Sequence, residues 1–311
     1  MYVPFLTKRR GGGASAGGGR SSGSSSGGQE RLLVVILQRE KRFFVEWREG
    51  RLIFKQREER IRVVVSGKSR SASTSSFGGG KPFMIPSGQL FAGRSAGGGT
   101  RGQVFGTRAY GSGYPGVYSR GVGGRGFPFY FWPLAWGTSA GLGFGAGAAY
   151  MHTDEYGEPT NSSRPGGVMA SLPFTSNSSS STFHLVADNT TLSSLLAPIT
   201  TNCSSFLASP SANTTLSPFN SSALFPEQVV QYFRASSVAL TLDGYNNSAV
   251  FAAENSTSDT ALPAGTDLAL LACLNATIGQ AVPLVSGAES QARMGMLWVV
   301  VLVAVVRVFG L

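Results

Sequence analysis

Histidine and cysteine are nearly missing: two of each occur in 311 residues. Two histidines leave little general-base chemistry to place, and neither stands where a hydrolase would need it. His184 falls in a strand-like run, and His152 follows too closely on Ser139 for the usual order of an elbow nucleophile and its base. "GTSAG" (137–141) and "GRSAG" (93–97) both fit the G-x-S-x-G elbow, but two hits in a Gly/Ser-rich chain are what composition alone produces. "GSGYPG" (111–116) matches a dinucleotide fingerprint in letters only, since no strand precedes it and Pro115 marks a turn, so it reads as linker. His152, Asp154, Glu155 and Glu158 lack the spacing of a calcium loop and read as a solvated acidic turn. The expectation is no catalytic activity, no cofactor and no metal.

Acidic residues are scarce in one half only. Residues 1–125 carry 22 Lys and Arg against 6 Asp and Glu, whereas residues 126–311 carry 4 against 10. The basic half is dominated by Gly, Ser and Arg, which cannot offset chain entropy by burial. Residues 1–28 and a Gly/Arg/Ser/Tyr-rich arm over 66–125 are therefore expected to be disordered. Its Arg-Gly places, "RRGGG", "TRGQ", "SRGV" and "GRGF", with Tyr110, Tyr114 and Tyr118 among them, resemble RNA-binding tails. A cationic arm outside a cell would equally meet anionic wall polymers, and a lumenal chain excludes nucleic acid. Residues 29–65 interrupt this polymer with 16 charged residues in 37 and read as an inserted segment. "RFFVEW", "RLIFKQ" and "RIRVVV" predict a β-meander there, with a helix over 30–38.

Asparagine outside a glycosylation motif is the next scarcity. Nine of the ten asparagines stand in N-x-[ST]: Asn161, Asn177, Asn189, Asn202, Asn213, Asn220, Asn246, Asn255 and Asn275. Ser and Thr make up roughly a third of this region, so chance would place roughly three of ten there. Glycans are added in the secretory lumen and need solvated positions, so this half of the chain is read as lumenal and then external. Cys203 and Cys273 are either a disulfide closing a loop of about 70 residues or two buried thiols, and an oxidising compartment favours the disulfide.

A secretory signal and a full-length membrane run are also lacking. "MYVPFLTKRRGGG" puts a short apolar run before its basic residues, the reverse of a signal peptide, which reads as an incomplete or misread beginning. Residues 126–151 are an uncharged stretch that would act as a signal-anchor with the basic arm in the cytosol, although its Gly and Pro make a poor lipid-facing helix. At the other end "MLWVVVLVAVVRVFGL" spans only ~24 Å of a ~30 Å hydrocarbon core as helix. Ser286, Gly287 and Ala288 followed by a polar spacer and that run match a GPI signal with Ser286 as the attachment residue; a retained hydrophobic helix over 286–311 is the alternative.

From Phe183 the pattern becomes globular. "FHLVA" and "VALTLDG" predict strands, "TTLSSLLAPITTNCSS" a helix broken near Pro198, "PEQVVQYFRASS" a helix opened by Pro226, and "GTDLALLACLNATIG" a helix capped by Thr266 or Asp267. The expected architecture is a small α+β domain over 152–285 following a largely disordered half, with the two cysteines pinning its first and last helices.

"IPSGQLFAGRSAGGGTRGQVFGTRAYGSGYPG", "RGFPFYFWPLAWG", "DEYGEPTNSSRPGG", "EQVVQYFRASSVALTLDGYNNSA" and "CLNATIG" together resemble a family of basidiomycete (mushroom-forming fungus) proteins, secreted or surface-attached, with a Gly/Ser/Arg-rich N-terminal arm. The resemblance covers roughly residues 85–285 and implies secretory localisation without any established activity. It leads to the expectation of a fungal cell-surface glycoprotein, structural or adhesive, GPI-linked or anchored by its tail. The alternative is a signal-anchored single-pass protein whose cytosolic basic arm binds nucleic acid or anionic lipid.

Overall fold

In the computed structural model, residues 60–115, 121–136, 156–208, 215–252 and 257–287 are described in full, together with the backbone of three strands between 33 and 56. The chain divides into two units, Met1–Glu58 and Glu59–Leu311. The first holds strands β1 (Leu33–Gln38), β2 (Lys41–Arg48) and β3 (Arg51–Gln56) in an antiparallel meander. The helix expected over 30–38 is instead β1, paired Val34 to Val45 and Ile36 to Phe43. Consecutive Val34, Val35 and Ile36 are β-branched and stiff at χ1, which favours the pleated conformation. "RIRVVV" forms a strand but pairs within the second unit.

That strand, β4 (Arg60–Val65), turns directly into β5 (Lys68–Ser73), with Val65 opposite Lys68. Ser66 and Gly67 between them have φ of 49° and 73°, the paired positive values that match a two-residue hairpin to strand twist. Val63 and Val65 are buried while Val64 is exposed, the period-two signature of a half-covered strand. The disorder expected over 66–125 is thereby corrected across its described residues. Two further short strands, β6 (Phe83–Met84) and β7 (Ser95–Ala96), pair within it, and Val104, Tyr110, Tyr114 and Val122 are core residues.

The physical reason lies in the neighbouring aromatic block. Phe127, Phe129, Tyr130, Phe131, Trp132, Leu134 and Trp136 are all buried, and the glycines are where these rings come close. A Cβ on Gly97, which also has φ of 106°, would stand 2.5 Å from Tyr130 Oη, and one on Gly99 would stand 2.6 Å from the Phe129 ring. Glycine runs that read as entropy-dominated polymer are one half of a packing whose other half is "FPFYFWPLAW". Residues 126–136 consequently belong to the domain core, which corrects the signal-anchor reading over that part of 126–151; residues 137–151 lie outside the described residues. Among the described residues no helix is long and apolar enough to cross a membrane, and the tail from 288 onward, including the expected C-terminal hydrophobic helix, lies outside them.

The centre is a five-stranded antiparallel sheet. Its strands are β8 (Met169–Thr175), β9 (Thr182–Asp188), β10 (Ser217–Pro218), β11 (Val229–Phe233) and β12 (Val238–Leu242), in the order β10-β8-β9-β12-β11. Helix α1 (Asn189–Asn202) follows β9 without a linker, and α2 (Leu268–Ala281) packs against α1. A final strand, β13 (Leu284–Val285), pairs with β5 and ties the end of the domain to its beginning. The small α+β domain thus exists but reaches back to residue 60.

Two helix expectations change. α1 runs through Pro198 to Asn202, because Leu195, Ile199 and Cys203 on either side of the proline are fully buried and hold the last turn in place. "PEQVVQYF" is a single 3-10 turn (Pro226–Gln228) leading into β11. Val229, Val230 and Phe233 have helical spacing, yet four of the five strand residues are buried because both faces of β11 are covered, and buried strands lose the alternation that distinguishes them.

Asp267 caps α2 as expected. Its Oδ1 accepts from the N–H groups of Ala269 (3.0 Å) and Leu270 (2.9 Å), and its Oδ2 from Ser176 Oγ (2.6 Å) and Ser178 Oγ (2.9 Å). The hydrogen bond from Ser176, with those of Leu270, Ser178 and Ala269, holds the carboxyl below its ordinary 3.8 against the opposing effect of burial. A depressed folded value stabilises above the unfolded one and loses that contribution as pH falls through the folded value. The domain is expected to weaken below pH 3.8, and Asp267→Asn to flatten this limb while costing about 1–2 kcal/mol at neutral pH, because the Ser176 and Ser178 hydroxyls lose a charged acceptor. Denaturant midpoints across pH 2–7 check both.

Candidate functional site

The asparagines separate by motif. Asn177, Asn189, Asn202, Asn220 and Asn246 are exposed, and Asn161 and Asn275 are half-buried. Asn213 and Asn255 lie outside the described residues. Asn247, the one asparagine without a sequon, is fully buried. Its Nδ2 donates to Asp259 Oδ1 at 2.8 Å and its Oδ1 accepts from the Thr260 N–H at 3.0 Å, so the amide works as an internal strut. Asn177 leans on the surface, Nδ2 donating to the Ser205 carbonyl at 2.8 Å, and Asn220 Oδ1 caps its own turn through the Ser222 N–H at 2.9 Å. Asn275 stands in the middle of α2 with a buried, unbonded Oδ1, which leaves it the least room for a sugar.

Cys203 and Cys273 form a disulfide, with Cα atoms 5.8 Å apart and a sequence separation of 70. It joins the end of α1 to the middle of α2. Ser286 is exposed but engaged: it bridges Gly79, and its Oγ lies 2.8 Å from Ser76 Oγ.

Of the arginines in the Arg-Gly places of the expected RNA-binding arm, Arg101 and Arg125 are described, and both are half-buried; Arg9, Arg10 and Arg120 lie outside the described residues. Arg101 gives its guanidinium to the carbonyls of Thr74 (3.0 Å), Ser76 (2.6 Å), Gly279 (3.3 Å) and Val282 (2.6 Å), closing the C-terminal end of α2. Arg125 lies over the Tyr114 ring at 5.1 Å, and Tyr110 Oη donates to the Leu134 carbonyl. Residues that stack bases in a disordered tail here stack on one another; Tyr118 lies outside the described residues. Gly111 of "GSGYPG" belongs to a tight turn, since its φ is 88° and a Cβ would stand 2.2 Å from the Gly121 carbonyl oxygen.

Buried polar chemistry centres on Arg234 and Asp188, 2.8 Å apart and both almost without solvent contact. Arg234 also donates to Ser237 Oγ (2.8 Å) and the Pro283 carbonyl (3.1 Å), and its guanidinium covers Phe131 at 3.4 Å. Burial lowers the Arg234 pKa to about 10, with the Asp188 charge and hydrogen bond working against that shift. Asp188 simultaneously caps α1 through the Thr191 N–H at 2.8 Å. This pair fixes a fold rather than facing a substrate.

The hydrolase reading gains no support from the described residues. Ser95 of "GRSAG" lies inside β7, not on a strand-to-helix turn, and Ser139 and His152 are outside the described residues. His184 pairs with Asp243 at 3.2 Å on the surface. Among the described residues no cluster could hold a metal ion.

A cleft of about 520 Å3 does open beside β4, lined among others by Arg62, Leu90, Phe91, Trp132 and Arg164. Sequence reading passed over these residues because they come from four separated segments. The one local signal was "NSSRPGG", whose Ser162, Ser163 and Arg164 all reach the cleft wall. No protein-family model, no curated protein and no solved structure matches this chain.

Proposed function

We propose that this protein is a cell-surface N-glycoprotein of the fungal type its later motifs resemble, with a structural or adhesive role rather than a catalytic one. The observation that carries the reading is the sorting of its asparagines: of the seven described sequon asparagines five are exposed and two, Asn161 and Asn275, are half-buried, whereas the one without a sequon is fully buried. Chance sequons in a Ser/Thr-rich segment would not respect burial. The disulfide supports an oxidising compartment, where such bonds persist. Membrane attachment is assigned to the tail over 286–311, by lipid exchange at Ser286 or by a retained span. What speaks against the alternative, a signal-anchored protein with a cytosolic basic arm, is that Phe127, Tyr130, Trp132 and Trp136 of its expected span are buried in the domain core.

Expression in a secreting fungal host, with gel mobility compared before and after endoglycosidase, tests the proposal. A stepwise shift is expected, with single Asn→Gln changes at positions 177, 189, 202, 220 and 246 each removing one step. Since these side chains are exposed, each change should leave stability within about 0.5 kcal/mol. Mass spectrometry should find Asn247 bare and Asn275 the least occupied. Unmodified asparagines throughout would overturn the reading, and phospholipase release from cells separates a lipid anchor from a retained span.

A further inference from the structure

The cleft's volume, about 520 Å3, falls within the ~300–1,000 Å3 of small-molecule sites. Three chemistries meet on its wall. Phe91 and Trp132 supply aromatic surface, their centroids 4.8 Å apart at 81°. Phe91 is held there at φ of 63°, a costly conformation for a bulky residue, which the packing of its ring against Phe127, Trp132 and Tyr156 maintains. Ser162, Ser163 and Thr190 bring hydroxyls. Arg62 and Arg164 bring positive charge, and among the described residues no carboxylate lines the cleft.

Arg164 is the informative member. It is 5 % exposed, and its guanidinium donates only to backbone carbonyls, those of Tyr156 (2.9 Å), Pro133 (2.5 Å) and Trp132 (3.4 Å). Its Nε–H is buried and has no partner. The carboxylate that acts on it, Asp188, is already bonded to Arg234 and to the α1 cap. Burial lowers its pKa to about 10, which still leaves it charged at neutral pH. A buried cation without its own counter-ion is unfavourable, and here it forms the wall of a cavity. Arg62 at the exposed rim adds a second charge of the same sign.

We propose that this cleft binds an acidic saccharide, with the apolar face of a sugar ring against Phe91 and Trp132, its hydroxyls on the serine and threonine side chains, and its carboxylate drawn to Arg62 and the Arg164 charge. A sugar presents both an apolar C–H face and a hydroxyl edge, and a carboxylate suits the planar fork of arginine. Nucleic acid fits less well, because a strand is held by a run of cations along a groove and, among the described residues, only two arginines, Arg62 and Arg164, line this cleft. The inference deepens the adhesive reading by naming a ligand class for it, while its chemistry stands independently of glycosylation. Ser162 and Ser163 complete the Asn161 sequon, so a sugar on Asn161 would stand at the rim and compete for the space.

The test uses the full chain carrying Asn161→Gln, titrated calorimetrically with trigalacturonate and with the same trisaccharide reduced at its carboxyls. Saturable binding is expected for the acid. It should weaken at least ~tenfold for the reduced sugar and for an added Arg62→Glu change, while Lys81→Glu, an exposed charge outside the cleft, should leave it unchanged. Absence of binding, equal affinity for both sugars, or an equal response to a single-stranded oligonucleotide would overturn the proposal. Binding by a natively expressed chain that endoglycosidase does not shift would retain the cleft and sink the glycoprotein reading; a shift without binding would do the reverse.

Discussion

Replacing Asp188 with alanine is expected to destabilise the domain by on the order of 5 kcal/mol, a large part of the stability of an ordinary domain. The side chain serves two elements at once. Oδ1 accepts from the Thr191 N–H at 2.8 Å and Thr190 Oγ1 at 2.9 Å, capping α1, while Oδ2 accepts from Thr191 Oγ1 at 2.7 Å and Arg234 Nη2 at 2.8 Å. Its loss removes a helix cap, worth about 1 kcal/mol, and leaves Arg234 charged and fully buried, which accounts for about 3–5 kcal/mol. The position of Arg234 makes relaxation difficult. Arg234, Ala235 and Ser236 all have φ between 50° and 60°, and a left-handed residue other than glycine costs roughly 1–2 kcal/mol.

That turn is maintained from outside. The Leu134 N–H donates to the Ser236 carbonyl at 2.9 Å, the Gly111 N–H to Ser236 Oγ at 2.9 Å, and the Arg234 N–H to the Val104 carbonyl at 2.7 Å. Urea unfolding of the Asp188→Ala and Asp188→Asn chains measures the effect, with the asparagine retaining part of the cap. Adding Arg234→Met to Asp188→Ala should recover stability, because it removes the stranded charge. If the single variant stays within about 1 kcal/mol of the parent, the pair does not hold the two elements together.

Removing the disulfide should have the next largest effect. Cys203 and Cys273, at a sequence separation of 70, close a loop that the chain-entropy relation values at about 4 kcal/mol. For a unit of this size that lowers Tm by roughly 10 °C. The paired Cys203→Ser and Cys273→Ser chain, compared with the parent by differential scanning calorimetry with and without reductant, gives the number. A reductant should lower the parent's Tm by the same amount and leave the double variant unmoved. Equal melting of oxidised and reduced parent would show that the helix pair is held by packing alone, through Leu195, Ile199, Leu274 and Ile278.

How much of this was legible depended on whether the signal was local. The Asp267 cap and the strands at "FHLVA" and "VALTL" follow from short-range rules, since a capping carboxylate and a β-branched run each act within a few residues. β8, with Pro173 in its middle and a run of small residues, gave no such signal. β11 imitated a helix because it is covered on both faces. The cleft could not be anticipated at all, because Arg62, Phe91, Trp132 and Arg164 become neighbours only through the packing of separated segments.

The sequence by itself determined where glycans can be written, which half carries the negative charge, and that two cysteines stand within reach of two helices, because each is a matter of residue identity and short spacing. Tertiary structure alone decided that the Gly/Arg-rich stretch from 60 to 125 is folded across its described residues. Gly97 and Gly99 reveal nothing until Tyr130 and Phe129 lie against them, and Arg101 is an ordinary surface charge until four distant carbonyls surround it. Composition averages over such residues as if they faced water; the aromatic rings that bury them arrive some thirty positions later in the chain.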